Sequence, residues 1–318
     1  MHSQSSVLGA IGNTPITALD RLREEVGVKA RIFAKLEYFS PGGSIKDRSA
    51  LKIIEEAERK RELEPGQRVV ELTSGNMGIG LAVVCGVKGY RFTAVMSRGN
   101  SPERWRILRA LGADVELVPQ AKGGVPGKVT KEDLELVEKR TQQLVKRLGA
   151  FRPDQFNNPK NPLAHEQGTG EEIWKGLDGR VDYFVAMVGT GGTFIGSSRA
   201  LKKHNPRIRC YAVEPANAPV LAGGRVKSTK HKIQGTGYAF VPPQWESNLC
   251  DGYLAVSDRE AISAARLLAK REGILAGFSG GANVAASIKL ARKIGGEKVI
   301  ATVIPDTGLK YLSTDLFQ

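Results

Sequence analysis

Three apolar runs in this chain end in clusters of glycine and hydroxyl residues, and each cluster opens onto a helix-like segment. Val69-Val70-Glu71-Leu72 leads into Thr73-Ser74-Gly75-Asn76-Met77-Gly78 and then Ala82, Val83 and Val84. Tyr183–Val188 leads into Gly189-Thr190-Gly191-Gly192-Thr193. Gly273-Ile274-Leu275-Ala276-Gly277-Phe278 leads into Ser279-Gly280-Gly281 and a helix from Ala282. Strands that hand over to helices through such turns build an α/β fold with a mostly parallel sheet. The same turns offer backbone N–H groups and hydroxyls to an anion. The 189–193 loop reads as a phosphate cradle, with a plain structural turn as the alternative. It is not a nucleoside-triphosphate loop, because no Lys-Ser or Lys-Thr pair closes it, and it lacks the spacing of a dinucleotide fingerprint.

A fourth glycine-rich turn, Ser40-Pro41-Gly42-Gly43-Ser44-Ile45, delivers Lys46 to the first turn of a helix. Ala50, Leu51, Ile53, Ile54 and Ala57 give that helix its apolar face. The positive end of the helix dipole lowers the pKa of a lysine placed there. A neutral amine can act as a nucleophile or form a Schiff base. The alternative is an ordinary solvated charge.

Strand and helix signals alternate along the rest of the chain. Strands are expected at Arg91–Met96, Ala113–Val118, Tyr183–Val188, Arg209–Val213 and Lys298–Val303. Ser101-Pro102 supplies an N-cap and a first-turn proline, and Thr130-Lys131-Glu132-Asp133 carries a capping pattern. The segment from Gln120 to Lys128 is read as a surface loop, with a moving lid as the sharper alternative.

With 318 residues, 41% of them hydrophobic, the chain is long enough for one large or two modest domains. No stretch has transmembrane length, and Met1-His2-Ser3-Gln4-Ser5-Ser6 is no secretory signal, so a cytoplasmic location is expected. The formal charge of +14 comes from basic residues scattered among acids, as in Glu55–Glu62, with no aromatic-interleaved stripe. A solvated charged surface is therefore expected, not a nucleic-acid binder. Cys85, Cys210 and Cys250 are the three cysteines, without metal-ligand spacing. Neither a metal site nor a disulfide framework is expected.

Taken in order, the motifs resemble the cysteine synthase and cystathionine β-synthase family of fold-type-II pyridoxal-phosphate enzymes. The set is Gly12-Asn13-Thr14-Pro15, the Lys46 turn, Thr73-Ser74-Gly75-Asn76, Gln155-Phe156, Gly189–Thr193, Glu214-Pro215, Lys232–Gly237, the Ser279 loop and Lys310-Tyr311-Leu312-Ser313-Thr314. The resemblance spans essentially the whole chain. It implies two three-layer α/β/α lobes of the tryptophan synthase β type, with mostly parallel sheets and pyridoxal 5'-phosphate in the cleft between them. Residues 1–44 and 158–318 would form the larger cofactor-binding domain, and 45–157 the smaller, mobile substrate-binding one.

By the same resemblance, Lys46 is the Schiff-base lysine and catalytic base. Asn76 meets the ring hydroxyl, Gly189, Thr190, Gly191, Gly192 and Thr193 bind the phosphate, and Ser279 faces the ring nitrogen. Thr73, Ser74 and Gln155 clamp the substrate carboxylate. A neutral hydroxyl at the ring nitrogen favours β-elimination, giving an enzyme-bound aminoacrylate that a sulfur nucleophile attacks. The implied reaction joins O-acetylserine and sulfide into L-cysteine. O-phosphoserine or cysteine as substrate, thiosulfate or homocysteine as nucleophile, and a non-catalytic binding protein are the alternatives. A homodimer and a serine acetyltransferase partner are implied as well. Two residues depart from the family wording: Met77 replaces a threonine beside the substrate site, and Gly280 replaces a second serine. Arg98 is a further candidate for specificity.

Overall fold

The computed structural model describes residues 5–124, 129–229, 231–238 and 240–318. In chain order its strands are β1 (Ile16–Ala18), β2 (Arg31–Leu36), β3 (Arg68–Leu72), β4 (Arg91–Ser97), β5 (Asp114–Val118), β6 (Tyr183–Met187), β7 (Arg209–Pro215), β8 (Gly252–Val256) and β9 (Val299–Ile304). The α-helices are α1 (Asp20–Val26), α2 (Lys46–Arg59), α3 (Asn76–Lys88), α4 (Pro102–Ala110), α5 (Lys131–Leu148), α6 (Lys160–Ala164), α7 (Glu171–Gly176), α8 (Gly192–His204), α9 (Asp258–Glu272) and α10 (Phe278–Ile294). A π-helical turn, His165–Gly170, joins α6 to α7.

The chain divides into two compact units, one of Met1–Ile11 and Lys46–Lys160, the other of Gly12–Ile45 and Asn161–Gln318. The first unit is built on the parallel sheet β3-β4-β5. Side chains of a strand alternate between faces, and here they separate two cores. Val69, Ala94 and Met96 face Ile53, Ile54, Leu81 and Leu108, from α2, α3 and α4. Val70, Val95 and Val118 face Val137 and Leu144 of α5. That helix begins on the expected capping box, Thr130 with Asp133. Leu8 and Ile11 pack against the α2–α3 core, which places the segment before Gly12 in this unit and not in the larger domain assigned from sequence.

The second unit carries the sheet β1-β2-β9-β6-β7-β8, parallel apart from β1. Val185 and Ile300 join Leu22, Leu268 and Leu290 on one face, while Phe184 and Ala301 join Ile173, Phe194 and Leu201 on the other. Both units are thus three layers, helix on sheet on helix. The Gly12–Pro15 motif is structural: Thr14 donates to the buried Glu37 at 2.7 Å, and the buried Lys35 donates to the Thr14 carbonyl at 2.7 Å.

In the loop from Gln120, residues 125–128 lie outside the described residues; its start is tied to α5, with Ala121 N–H donating to Asp133 at 2.7 Å. Among the described residues no helix is long and apolar enough to cross a membrane, and no group of His, Cys, Asp and Glu is arranged to hold a metal. Cys85 and Cys210 are buried, and burial pushes their thiols up to about 12 and about 11.

Candidate active site

Lys46 lies in a first helical turn, as expected, and the residues read as loops from sequence are largely helix starts as well. Lys46 opens α2, Asn76 and Met77 open α3, Gly192 and Thr193 open α8, and Ser279 lies in the first turn of α10. Glycine, serine and asparagine form helix interiors poorly, but in the first turn the N–H groups have no partner within the helix and face whatever binds there.

In the first unit, Lys46 is half-buried, and burial lowers its pKa to about 8. Desolvation is thus the cause the structure supplies, where the sequence argued from the helix dipole. Close approach of α2 to α3 runs through Gly80: a Cβ there would stand 3.1 Å from the Lys46 carbonyl oxygen and 3.2 Å from Ala50. Thr73 is buried after β3, and its Oγ1 accepts from the Gly78 N–H at 3.0 Å. Its own hydroxyl proton is therefore left to donate to an acceptor. Met77 is only 3% exposed and packs into the α2–α3 core.

Gln155 follows a segment that extends the same sheet. Phe151 pairs alongside β3, its N–H on the Arg68 carbonyl at 2.9 Å and its carbonyl on the Val70 N–H at 2.9 Å. Next in the chain, Arg152 grips Glu138 of α5 with two bonds of 2.8 and 2.7 Å and stands 4.0 Å from the buried Glu71. Burial pushes Glu71 up to about 7, against the pull of Arg152.

In the second unit, the turn after β6 carries the glycine cradle. Gly191 has φ 91°, a left-handed conformation that favours glycine. A Cβ on Gly192 would overlap the Asn161 side chain, and one on Gly189 would overlap the Gly235 carbonyl, so the Lys232–Gly237 motif backs the turn. Thr190 Oγ1 accepts from Asn161 Nδ2 at 2.9 Å, and Thr193 Oγ1 lies 3.4 Å from His165 Nε2. His165 is buried and its Nδ1 is 3.0 Å from Thr169 Oγ1. Both cradle threonines are thus braced by α6 and the π-turn.

Asn283, one turn beyond Ser279, accepts from the Met187 N–H at 2.6 Å and donates to the Val303 carbonyl at 2.8 Å. It fixes the start of α10 to the ends of β6 and β9. Ser279 itself is half-buried. Gly280 is packed: a Cβ there would meet Ala276 at 2.9 Å and Ile304 at 3.2 Å, so the family's serine would require both neighbours to move. Lys310 donates to the carbonyls of Gly42 and Gly43, at 2.8 and 3.2 Å, and holds the turn that precedes Lys46.

Sequence reasoning missed Arg104, Asn161, His165 and Asn283. The one signal available was the spacing of Asn161 and His165, four residues apart and so on one helical face. Arg98, by contrast, is exposed just beyond the end of β4; its backbone N–H bonds the Val118 carbonyl, the last of β5, at 2.8 Å.

In the second unit, glycines packed too closely for a side chain and hydroxyls held by buried neighbours suit a phosphate group; in the first unit, a lysine of lowered pKa suits a carbonyl carbon. A family model described as pyridoxal-phosphate dependent enzyme matches residues 7–306, and the chain belongs to that family. It is 42% identical to a cysteine synthase of Staphylococcus aureus over 309 residues, 97% of this chain and 95% of the relative. Among solved structures it is similar to O-acetyl serine sulfhydrylase isoform 3 from Entamoeba histolytica, with a TM-score of 0.92 and 36% identity over 99% of this chain and 92% of that one. It is also similar to an O-ureido-L-serine synthase, with a TM-score of 0.89 and 39% identity over 99% of this chain and 96% of that one. The protein is a pyridoxal-phosphate dependent enzyme.

Proposed function

We propose that the enzyme makes L-cysteine from O-acetylserine and sulfide by β-replacement. The observation that carries this reading is the full-length likeness to a cysteine synthase together with Lys46 at the start of α2, where burial lowers its pKa to about 8 and suits an amine that must bind a carbonyl and then move a proton. It is supported by the 42% identity to a cysteine synthase over nearly the whole chain. When bound, pyridoxal phosphate supplies an electron sink that loosens the bonds at the substrate α-carbon.

The chain's own residues are assigned as follows. Lys46 would hold the cofactor aldehyde, and its Nζ would take the substrate α-proton and later return it. Gly189, Thr190, Gly191, Gly192 and Thr193 bind the phosphate, with the hydroxyl protons of Thr190 and Thr193 directed to it. Asn76 bonds the ring oxygen. Ser279 would offer the ring nitrogen a neutral hydroxyl, where a carboxylate would favour a proton on that nitrogen. Thr73, Ser74 and Gln155 bind the substrate carboxylate and orient the Cα–H bond. Met77 completes the first turn of α3 beside them.

The proposal extends to a homodimer, a cytoplasmic location, a mobile smaller domain and a serine acetyltransferase partner. Assay of the purified holoenzyme with sulfide and, separately, O-acetylserine or O-phosphoserine tests the substrate. Cysteine released from O-acetylserine supports the reading. Product from O-phosphoserine alone, or from neither, overturns it.

A further inference from the structure

We propose that Arg104 is a positioning residue for the substrate carboxylate, acting by fixing the orientation of the Ser74–Gly75 peptide; this rests on the reading of Thr73 and Ser74 as the carboxylate clamp. Arg104 stands in the first turn of α4, half-buried, and its Nη1 donates to the Ser74 carbonyl at 2.7 Å. The same nitrogen lies 3.5 Å from where a Cβ of Gly75 would be. The α3–α4 contact is tight here, since a Cβ on Gly78 would stand 3.3 Å from Leu108. The guanidinium is therefore held against the turn by packing of its own helix.

Carbonyl and N–H of a trans peptide point in opposite directions. With the Ser74 carbonyl engaged by Arg104, the Gly75 N–H points away from α4. That N–H has no hydrogen-bond partner among the described residues. A charged donor on the carbonyl also polarises the peptide and makes its N–H a stronger donor. Gly75 is extended, with φ −127°, and is the N-cap of α3 without a side-chain cap. Arg104 thereby holds the turn from behind and leaves the uncapped front open to a carboxylate.

The test compares L-serine with L-serinamide, two ligands without a good leaving group, by the change each produces in the visible absorbance of the holoenzyme. Wild-type enzyme, R104K and R104M are titrated with both. The wild type is expected to prefer serine, and R104M to reduce that preference about tenfold, the value of one charged hydrogen bond. R104K should restore it to within about threefold, because one ammonium donor can still reach the carbonyl. The absorbance of the unliganded enzyme and its affinity for pyridoxal phosphate should be unchanged in both variants. An R104M preference equal to that of the wild type, or equal weakening of both ligands, overturns the proposal. If R104M does not fold, the Gly75 amide resonance of the wild type decides: it must shift with serine and not with serinamide. A wild type that binds both ligands equally would instead remove the clamp reading on which the proposal stands.

Discussion

The two units brace their helix starts by different means. In the second unit the cradle is held by fully buried side chains from elsewhere in the chain, Asn161 on Thr190, His165 near Thr193 and Asn283 across β6 and β9. In the first unit the turn before α3 is held from within, by the Gly78 N–H on the Thr73 hydroxyl, and from α4 by the half-buried Arg104 on Ser74. Buried polar networks that are fully satisfied rigidify what they hold. Under the proposed assignment, a resident cofactor would call for the first arrangement, and a substrate that enters and leaves at every turnover for the second.

The largest effect is expected at the reacting amine. Lys46→Ala should lower turnover by about 10³-fold or more, since it removes both the carbonyl-binding and the proton-transfer group. Steady-state kinetics with matched cofactor content checks this. A second prediction sets the two units against each other. Gly192→Ala forces a methyl into Asn161 and should cost about 1–3 kcal/mol with a matching loss of pyridoxal-phosphate affinity. Gly75→Ala, which meets only Arg104 at ordinary contact distance, should change stability by less than about 1 kcal/mol and raise the substrate KM. Equilibrium dialysis and thermal unfolding of the two variants would break the comparison if their effects were alike.

Met77→Thr comes next. The side chain is 3% exposed within the α2–α3 core, so the exchange should cost about 1–3 kcal/mol through lost packing and a buried hydroxyl. Relative kcat/KM for O-acetylserine and O-phosphoserine should stay within about threefold, because a side chain turned into the core discriminates substrates weakly. Competition assays decide whether this departure from the family wording is packing or specificity.

The mildest perturbation, which changes no residue, is the pH response of the free amine. With Lys46 at about 8 in the folded chain and 10.5 as its ordinary value, its neutral fraction should rise about tenfold per pH unit up to pH 8 and then level. Recombination of apoenzyme with pyridoxal phosphate should follow that curve. For stability the sign is the opposite of a salt-bridged lysine. Between pH 8 and 10.5 the unfolded chain keeps a proton that the folded chain has shed, so stability gains from this residue as pH rises, and the penalty is complete below pH 8.

Much of this was legible in the residues. Alternating apolar runs located β4 and β6 to within a residue, and Thr130 with Asp133 located the start of α5. The glycine clusters marked the turns that open α3, α8 and α10, whose free backbone N–H groups and short hydroxyls are what the proposed anion site draws on. What stayed hidden depends on pairing across the chain. Asn161 meets Thr190 29 positions on, Arg104 meets Ser74 30 positions back, and Asn283 meets Met187 96 positions back. Before the strands and helices are placed, nothing distinguishes such a residue from any other polar one. Burial around Lys46 was likewise invisible, and the helix dipole alone understated why its pKa falls.

The central claim is best tested by the visible spectrum of the purified holoenzyme, titrated with O-acetylserine and then with sulfide. The account predicts a cofactor band that changes on adding O-acetylserine, with acetate released, and returns on adding sulfide, with cysteine released in equal amount. A band that ignores O-acetylserine, or that changes and is not restored by sulfide, would contradict it.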